Sequence, residues 1–162
     1  MTIDEINALD RDAFVEKVGW VFEHSPWVAE RSWSRRPFPS IVDMHQAMRE
    51  QVETASRDDQ LALLRAHPDL GAKARMSPSS TGEQAGAGLD RLTESEFERL
   101  RSLNEAYRLK FGFPFLLAVK GGTKFDILDA LERRLHSEVE SEFAQALEQV
   151  YKIARFRLED LG

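Results

Sequence analysis

Thr93-Glu94-Ser95-Glu96-Phe97-Glu98-Arg99-Leu100-Arg101-Ser102-Leu103-Asn104-Glu105-Ala106-Tyr107 is the segment that decides the fold class of this 162-residue chain. Thr93 and Glu96 have the spacing of a capping box, in which each side chain takes up a backbone N–H of the other residue. Phe97, Leu100, Leu103, Ala106 and Tyr107 then recur at intervals that line up on one helical face. Gly112 stands where a helix stops in a left-handed residue. Both ends of a long helix are thus written in the sequence.

The same signals recur on either side. Asp10 is placed to cap a helix carrying Phe14, Val18, Val21 and Phe22. Pro26-Trp27 opens a short segment that ends at the break Ser34-Arg35-Arg36-Pro37-Phe38-Pro39. Ser40 caps a helix through Ile41, Met44, Met48 and Val52, and Ser56 caps another through Leu61, Leu63 and Leu64. The latter stops at His67-Pro68, because the residue before proline is steered away from helical geometry. Residues 68–82, rich in Gly, Ser and Pro, read as the least regular part. Thr123 opens a helix with Ile127, Leu128, Leu131 and Leu135. Ser137 and Glu140 predict a further capping box before a final helix with Phe143, Leu147, Val150, Ile153, Ala154 and Leu158. Phe113–Val119 has the composition of a buried strand, but no partner strands are visible, so it reads as a buried connector or short helix. The expectation is an all-α protein, one compact domain over residues 1–162 with about seven to nine helices.

Composition removes several function classes. A net charge of −6 and the lack of any basic run argue against a nucleic-acid surface. The absence of cysteine rules out disulfides, thiol nucleophiles and cysteine-ligated metals. No apolar stretch approaches the roughly 20 residues of a membrane helix. Met1-Thr2-Ile3-Asp4-Glu5 lacks the pattern of a signal peptide, and Glu159-Asp160-Leu161-Gly162 is no peroxisomal address, so a cytoplasmic location is expected.

Common cofactor motifs fail on inspection. His24, His45, His67 and His136 do not pair at helical metal-site spacing, so no metal is expected. Gly121-Gly122-Thr123-Lys124 lacks the glycine spacing of a phosphate loop, and Gly86-Ala87-Gly88 follows no strand. His67-Pro68-Asp69-Leu70-Gly71 has more to offer. A histidine fixed at a helix end by proline either aims a titratable ring into a cleft or simply meets the last carbonyls. Ser80-Thr81-Gly82-Glu83-Gln84 is equally two-sided: Ser80 and Glu83 have capping-box spacing, yet a helix N-terminus also suits an anionic ligand. The following Ala85-Gly86-Ala87-Gly88 weakens a helix and leaves room for close approach or for a ligand. Arg155 and Arg157, on the last helix, are either solvated or turned inward to hold a carboxylate.

Taken in order and spacing, four blocks resemble one family: His67-Pro68-Asp69-Leu70-Gly71, Ser80 to Leu89, Phe111-Gly112-Phe113-Pro114-Phe115, and Lys152 to Leu158. The pattern is similar to that of the 2-oxo-4-hydroxy-4-carboxy-5-ureidoimidazoline (OHCU) decarboxylases, and the likeness covers essentially the whole chain. The resemblance implies an all-helical enzyme of urate breakdown that makes (S)-allantoin without a cofactor. It implies His67 as the catalytic histidine with Glu83 as its partner, and Pro68 holding the histidine beside the ligand. It further implies substrate binding by Ser80, Gln84, the stretch Phe115, Leu116, Leu117, Ala118 and Val119, and Arg157. A homodimer is suggested too. Trp20, Trp27 and Trp33 are open to two readings, an interface or, as is commoner for aromatic residues, the core. The chemistry fits these residue types, since the substrate's ring C=N accepts the electrons released with carbon dioxide and no cofactor need supply that sink. Two other readings compete: a helical interaction module without chemistry, and an enzyme for a related ureido or imidazoline acid.

Overall fold

The computed structural model describes residues 1–71 and 78–161, with side chains in the second stretch described from residue 81. Nine α-helices and no strand occur among the described residues: α1 (Ile3–Asn7), α2 (Arg11–Val18), α3 (Trp27–Ser32), α4 (Ile41–Glu53), α5 (Arg57–Arg65), α6 (Pro78–Gly86), α7 (Glu94–Phe111), α8 (Lys124–Arg134) and α9 (Val139–Leu161). The all-α class read from the sequence is the observed one.

Local chemistry sets most helix ends. Asp10, Ser40 and Ser56 each accept a backbone N–H in the first turn of the helix they precede. Reciprocal capping boxes form between Thr93 and Glu96 and between Thr123 and Asp126. Gly112 ends α7 in the left-handed region at φ 81°, where a side chain would cost roughly 1 kcal/mol.

Three boundaries differ from the sequence reading. α2 stops at Val18, so Val21 and Phe22 lie beyond it, in a tighter 3-10 turn over Gly19–Val21 and the extended residue after it. α6 begins at Pro78, which supplies a preset φ at a first-turn position needing no N–H donor. Ser80 therefore lies inside the helix instead of capping it. At the other end of the chain, α9 begins at Val139, so Ser137 falls outside the capping position. The Ser137 N–H is already used by the turn after α8, donating to the Arg134 carbonyl at 3.1 Å. Phe113–Val119 is a connector without regular structure, largely buried.

Internal contacts divide the chain into two compact units, Met1–Ala66 with Tyr151–Gly162, and His67–Val150. One boundary falls at the end of α5 and the other within α9, which is why no linker is visible in the sequence. In the first unit Ile6, Phe14, Val28, Met44, Met48, Leu63, Ala154 and Leu158 are inaccessible to solvent. His45 on α4 donates from Nε2 to the Tyr151 carbonyl at 2.8 Å. Trp27 and Trp33 are half-buried, with Arg31 and Arg36 stacked over their rings at 4.5 and 4.0 Å. The second unit is organised on an aromatic cluster: Tyr107 lies 4.4 Å from Phe111 and 5.4 Å from Phe115, and Phe113 reaches Phe143 at 6.0 Å.

Burial holds the pKa of His45 below its ordinary value. The neutral ring therefore stabilises the first unit fully above the unfolded histidine pKa of about 6.5, and this stability is lost as pH falls through the depressed folded value. Urea midpoints measured from about pH 7.5 down to 5 should fall for the native protein, and less steeply for His45→Gln, which keeps a donor for the Tyr151 carbonyl but cannot titrate.

Candidate active site

His67 follows directly on the C-cap of α5 and is 5% exposed. The residues after it are held from two helices. Asp69 takes two hydrogen bonds from the Arg108 guanidinium of α7, at 3.0 and 3.1 Å. The Leu70 carbonyl accepts from Asn104 Nδ2 at 2.9 Å. The Gly71 N–H donates to Gln84 Oε1 on α6 at 2.8 Å. Gly71 itself is left-handed, at φ 73°. His67 thus heads a non-helical segment whose backbone polar groups are satisfied by buried side chains, an arrangement that restrains it at modest cost.

α6 carries Glu83, half-buried, and Gln84, 6% exposed. With Oε1 committed to Gly71, the Gln84 amide is fixed in orientation, and its Nε2 makes no hydrogen bond among the described residues. Both residues lie in the second half of α6, so the free N–H groups of a helix N-terminus are not theirs. The helix closes with Leu89 N–H on the Gln84 carbonyl and Gly88 N–H on the Ala85 carbonyl, both 3.0 Å, around a left-handed Gly88. These are the two bonds of a Schellman stop. Gly88 is thus required by the turn, whereas a side chain at Gly82 or Gly86 would meet nothing within 4 Å. A cleft of about 600 Å3 opens here, lined by Gly71, Thr81, Gln84, Ala85, Leu89 and Phe97 among others. Its size suits a small ligand.

The Phe115–Val119 connector is pinned from α8 and α9. Arg134 Nη1 donates to the Leu116 carbonyl at 2.7 Å. Gln149 Oε1 accepts the Ala118 N–H at 3.0 Å. Arg134 is in turn bonded through Nε to Glu142, which also accepts from the Tyr107 hydroxyl at 2.6 Å. Burial, reinforced by the Glu142 carboxylate, pushes the Tyr107 phenol far above its usual range, so it remains a donor. Arg157 belongs to the first unit. It is 3% exposed, donates to the Val21 carbonyl at 3.3 Å and lies 3.6 Å from the buried Glu23 carboxylate. Arg155 points outward and pairs with Glu159.

The structure therefore joins Gln84 to the His67 segment and places Phe115–Val119 in the same unit. Ser80 lies in α6 with its side chain outside the described set. Asn104, Arg134, Glu142 and Gln149 were not singled out by the sequence. One signal was present for two of them: Glu142 and Gln149 share the buried stripe of α9 with Ala146, a polar pair at apolar positions. Among the described residues, no group of three histidine, aspartate or glutamate side chains is placed to hold a metal ion.

A Cβ on Gly71 would lie 2.5 Å from Leu100 Cδ2, whereas one on Gly88, equally left-handed, would meet nothing. Urea denaturation should show Gly71→Ala losing roughly 1–3 kcal/mol and more than Gly88→Ala. Equal losses in the two variants would mean that Leu100 yields without cost.

Comparison with known proteins gives a consistent result. The sequence model described as OHCU decarboxylase matches residues 7–159. The chain is 49% identical to a 2-oxo-4-hydroxy-4-carboxy-5-ureidoimidazoline decarboxylase of Haloferax volcanii, over 98% of this chain and 94% of that protein. It is 51% identical to the uric acid degradation bifunctional protein PucL of Bacillus subtilis, covering 99% of this chain but only 32% of that longer protein. Among solved structures, an (S)-allantoin synthase superposes with a TM-score of 0.78 at 37% identity, over 99% of this chain and 54% of that one. On this evidence the chain belongs to the OHCU decarboxylase family.

Proposed function

We propose that this protein decarboxylates OHCU to (S)-allantoin and carbon dioxide without a cofactor, and that it protonates the product on one face. The observation that carries the reading is the Gly71 N–H bond to Gln84, which ties the segment headed by the buried His67 to α6, in a chain that is 49% identical to an OHCU decarboxylase over nearly its full length.

The chemistry asks little of the protein beyond placement. The bond between the ring carbon and the carboxylate breaks, carbon dioxide leaves, and the electron pair moves toward the adjacent ring C=N, whose nitrogen takes a proton. The resulting enol takes a proton at the ureido-bearing carbon and loses its hydroxyl proton, giving the carbonyl of allantoin. His67, oriented by Glu83, bonds the hydroxyl and carboxyl region and assists proton transfer; Pro68 keeps the ring at the segment's head. The Gln84 amide N–H donates to the substrate, as does the backbone of the connector. Arg157 binds a polar group of the substrate, and Ser80 contributes from α6. Orientation and charge stabilisation of this kind account for large rate factors without covalent catalysis. The working assembly is a homodimer in the cytoplasm, a part of the proposal carried by the family likeness alone.

The test couples urate, its oxidase and the hydroxyisourate hydrolase, so that the unstable substrate forms in place, and follows circular dichroism after adding this protein. The native chain should produce a fast (S)-allantoin signal. His67→Asn should slow it roughly 10²–10⁴-fold with an unchanged melting temperature; full activity in that variant would remove His67 from the mechanism. Gln84→Glu keeps the acceptor for Gly71 but loses the donor, so KM should rise while stability changes little.

A further inference from the structure

The family likeness implies that the connector meets the substrate, but not which groups hold its backbone in place. A peptide group is planar and trans, so its C=O and N–H point to opposite sides. The Leu116 carbonyl is held by Arg134 at 2.7 Å, which turns the N–H of Leu117, in the same peptide plane, away from Arg134. The Ala118 N–H is held by Gln149 at 3.0 Å, which turns the carbonyl of Leu117 away from Gln149. One step further on, the Val119 carbonyl is used by the Gly122 N–H at 3.0 Å. Leu117 is left with a donor and an acceptor that make no hydrogen bond among the described residues. It is also half-exposed, between the buried Leu116 and a half-exposed Ala118.

We propose that Arg134 and Gln149 are positioning residues, and that by pinning the two flanking peptide planes they present the Leu117 N–H and C=O to the substrate. The inference rests on the functional reading above and deepens it. A donor and an acceptor on one residue complement the edge of a cyclic ureide, whose ring N–H and C=O are adjacent. Arg134 suits the task because its own freedom is removed twice: Glu142 holds Nε, and the Phe115 ring lies 4.5 Å from the guanidinium carbon. Tyr107 fixes Glu142 in its turn. A chain of buried groups therefore runs from the aromatic cluster of α7 to one peptide plane of the connector. A polar network in a dry interior constrains geometry strongly when it is satisfied.

Amide hydrogen exchange on the isotopically labelled native protein, with and without saturating (S)-allantoin as probe, reads this directly. The Ala118 amide should be protected in both states. The Leu117 amide should exchange readily in the free protein and become protected, with a shifted resonance, once the probe is bound. In the coupled assay Gln149→Leu should raise KM about tenfold, the scale of one lost hydrogen bond, with a smaller effect on kcat. Gln149→Glu, which keeps an oxygen acceptor, should restore most of that loss. A Leu117 amide unmoved by saturating (S)-allantoin overturns the proposal, as does a Gln149→Leu enzyme with native KM. Should Gln149→Leu fail to fold, the exchange experiment on the native chain decides alone. Failure of the functional reading is distinguishable: the native chain would then yield no (S)-allantoin, whereas an active chain with an unmoved Leu117 overturns this inference only.

Discussion

The Arg134 guanidinium, bonded to the Leu116 carbonyl on one side and the Glu142 carboxylate on the other, is the contact on which the second unit most depends. A helical protein satisfies its backbone within each helix, so the groups at the breaks must find partners elsewhere when they are buried. Here those partners are side chains from neighbouring helices: Gln84 for Gly71, Asn104 for Leu70, Arg134 for Leu116 and Gln149 for Ala118. Each break that carries a candidate functional residue is fixed in this way. Losing one member of a buried ion pair costs about 3–5 kcal/mol, so the Arg134–Glu142 pair is difficult to alter without disturbing the connector.

The first unit solves a related problem around Arg157. Glu23, which lies beside its guanidinium, sits next to His24, a non-glycine residue with φ 45°. The Ser25 hydroxyl closes the turn on the Glu23 carbonyl at 2.8 Å. A left-handed histidine is uncommon and stores some strain. That turn delivers a carboxylate to a buried arginine, whose charge would otherwise be expensive to desolvate.

Much of this was legible beforehand because helix ends are written locally. Asp10, Ser40, Ser56, Thr93, Thr123 and Gly112 each announce a boundary by a side chain or a left-handed residue within one turn. Ser137 misled because its N–H was already engaged by the preceding turn, a tertiary circumstance that a capping pattern does not register. Pro78 opens α6 within a stretch whose Gly, Ser and Pro content reads as loop. Of the candidate site, the His67-Pro68 and Ser80–Gln84 blocks stood out by composition and spacing. Arg134 and Gln149 did not, because a polar residue on an amphipathic helix looks solvated until its face is known. Their roles depend on contacts across 18 and 31 positions of sequence, which no local pattern encodes.

In the proposed mechanism, bond cleavage and protonation both occur on the protein. The most direct measurement is to generate the substrate in deuterium oxide with this protein present, and then to separate the allantoin on a chiral column and locate its deuterium. Catalysis of both steps on the protein should give accelerated carbon dioxide release and a single (S) enantiomer carrying deuterium at the ureido-bearing carbon. Accelerated release with a racemic product would contradict it, since the enol would then have left the site before taking its proton.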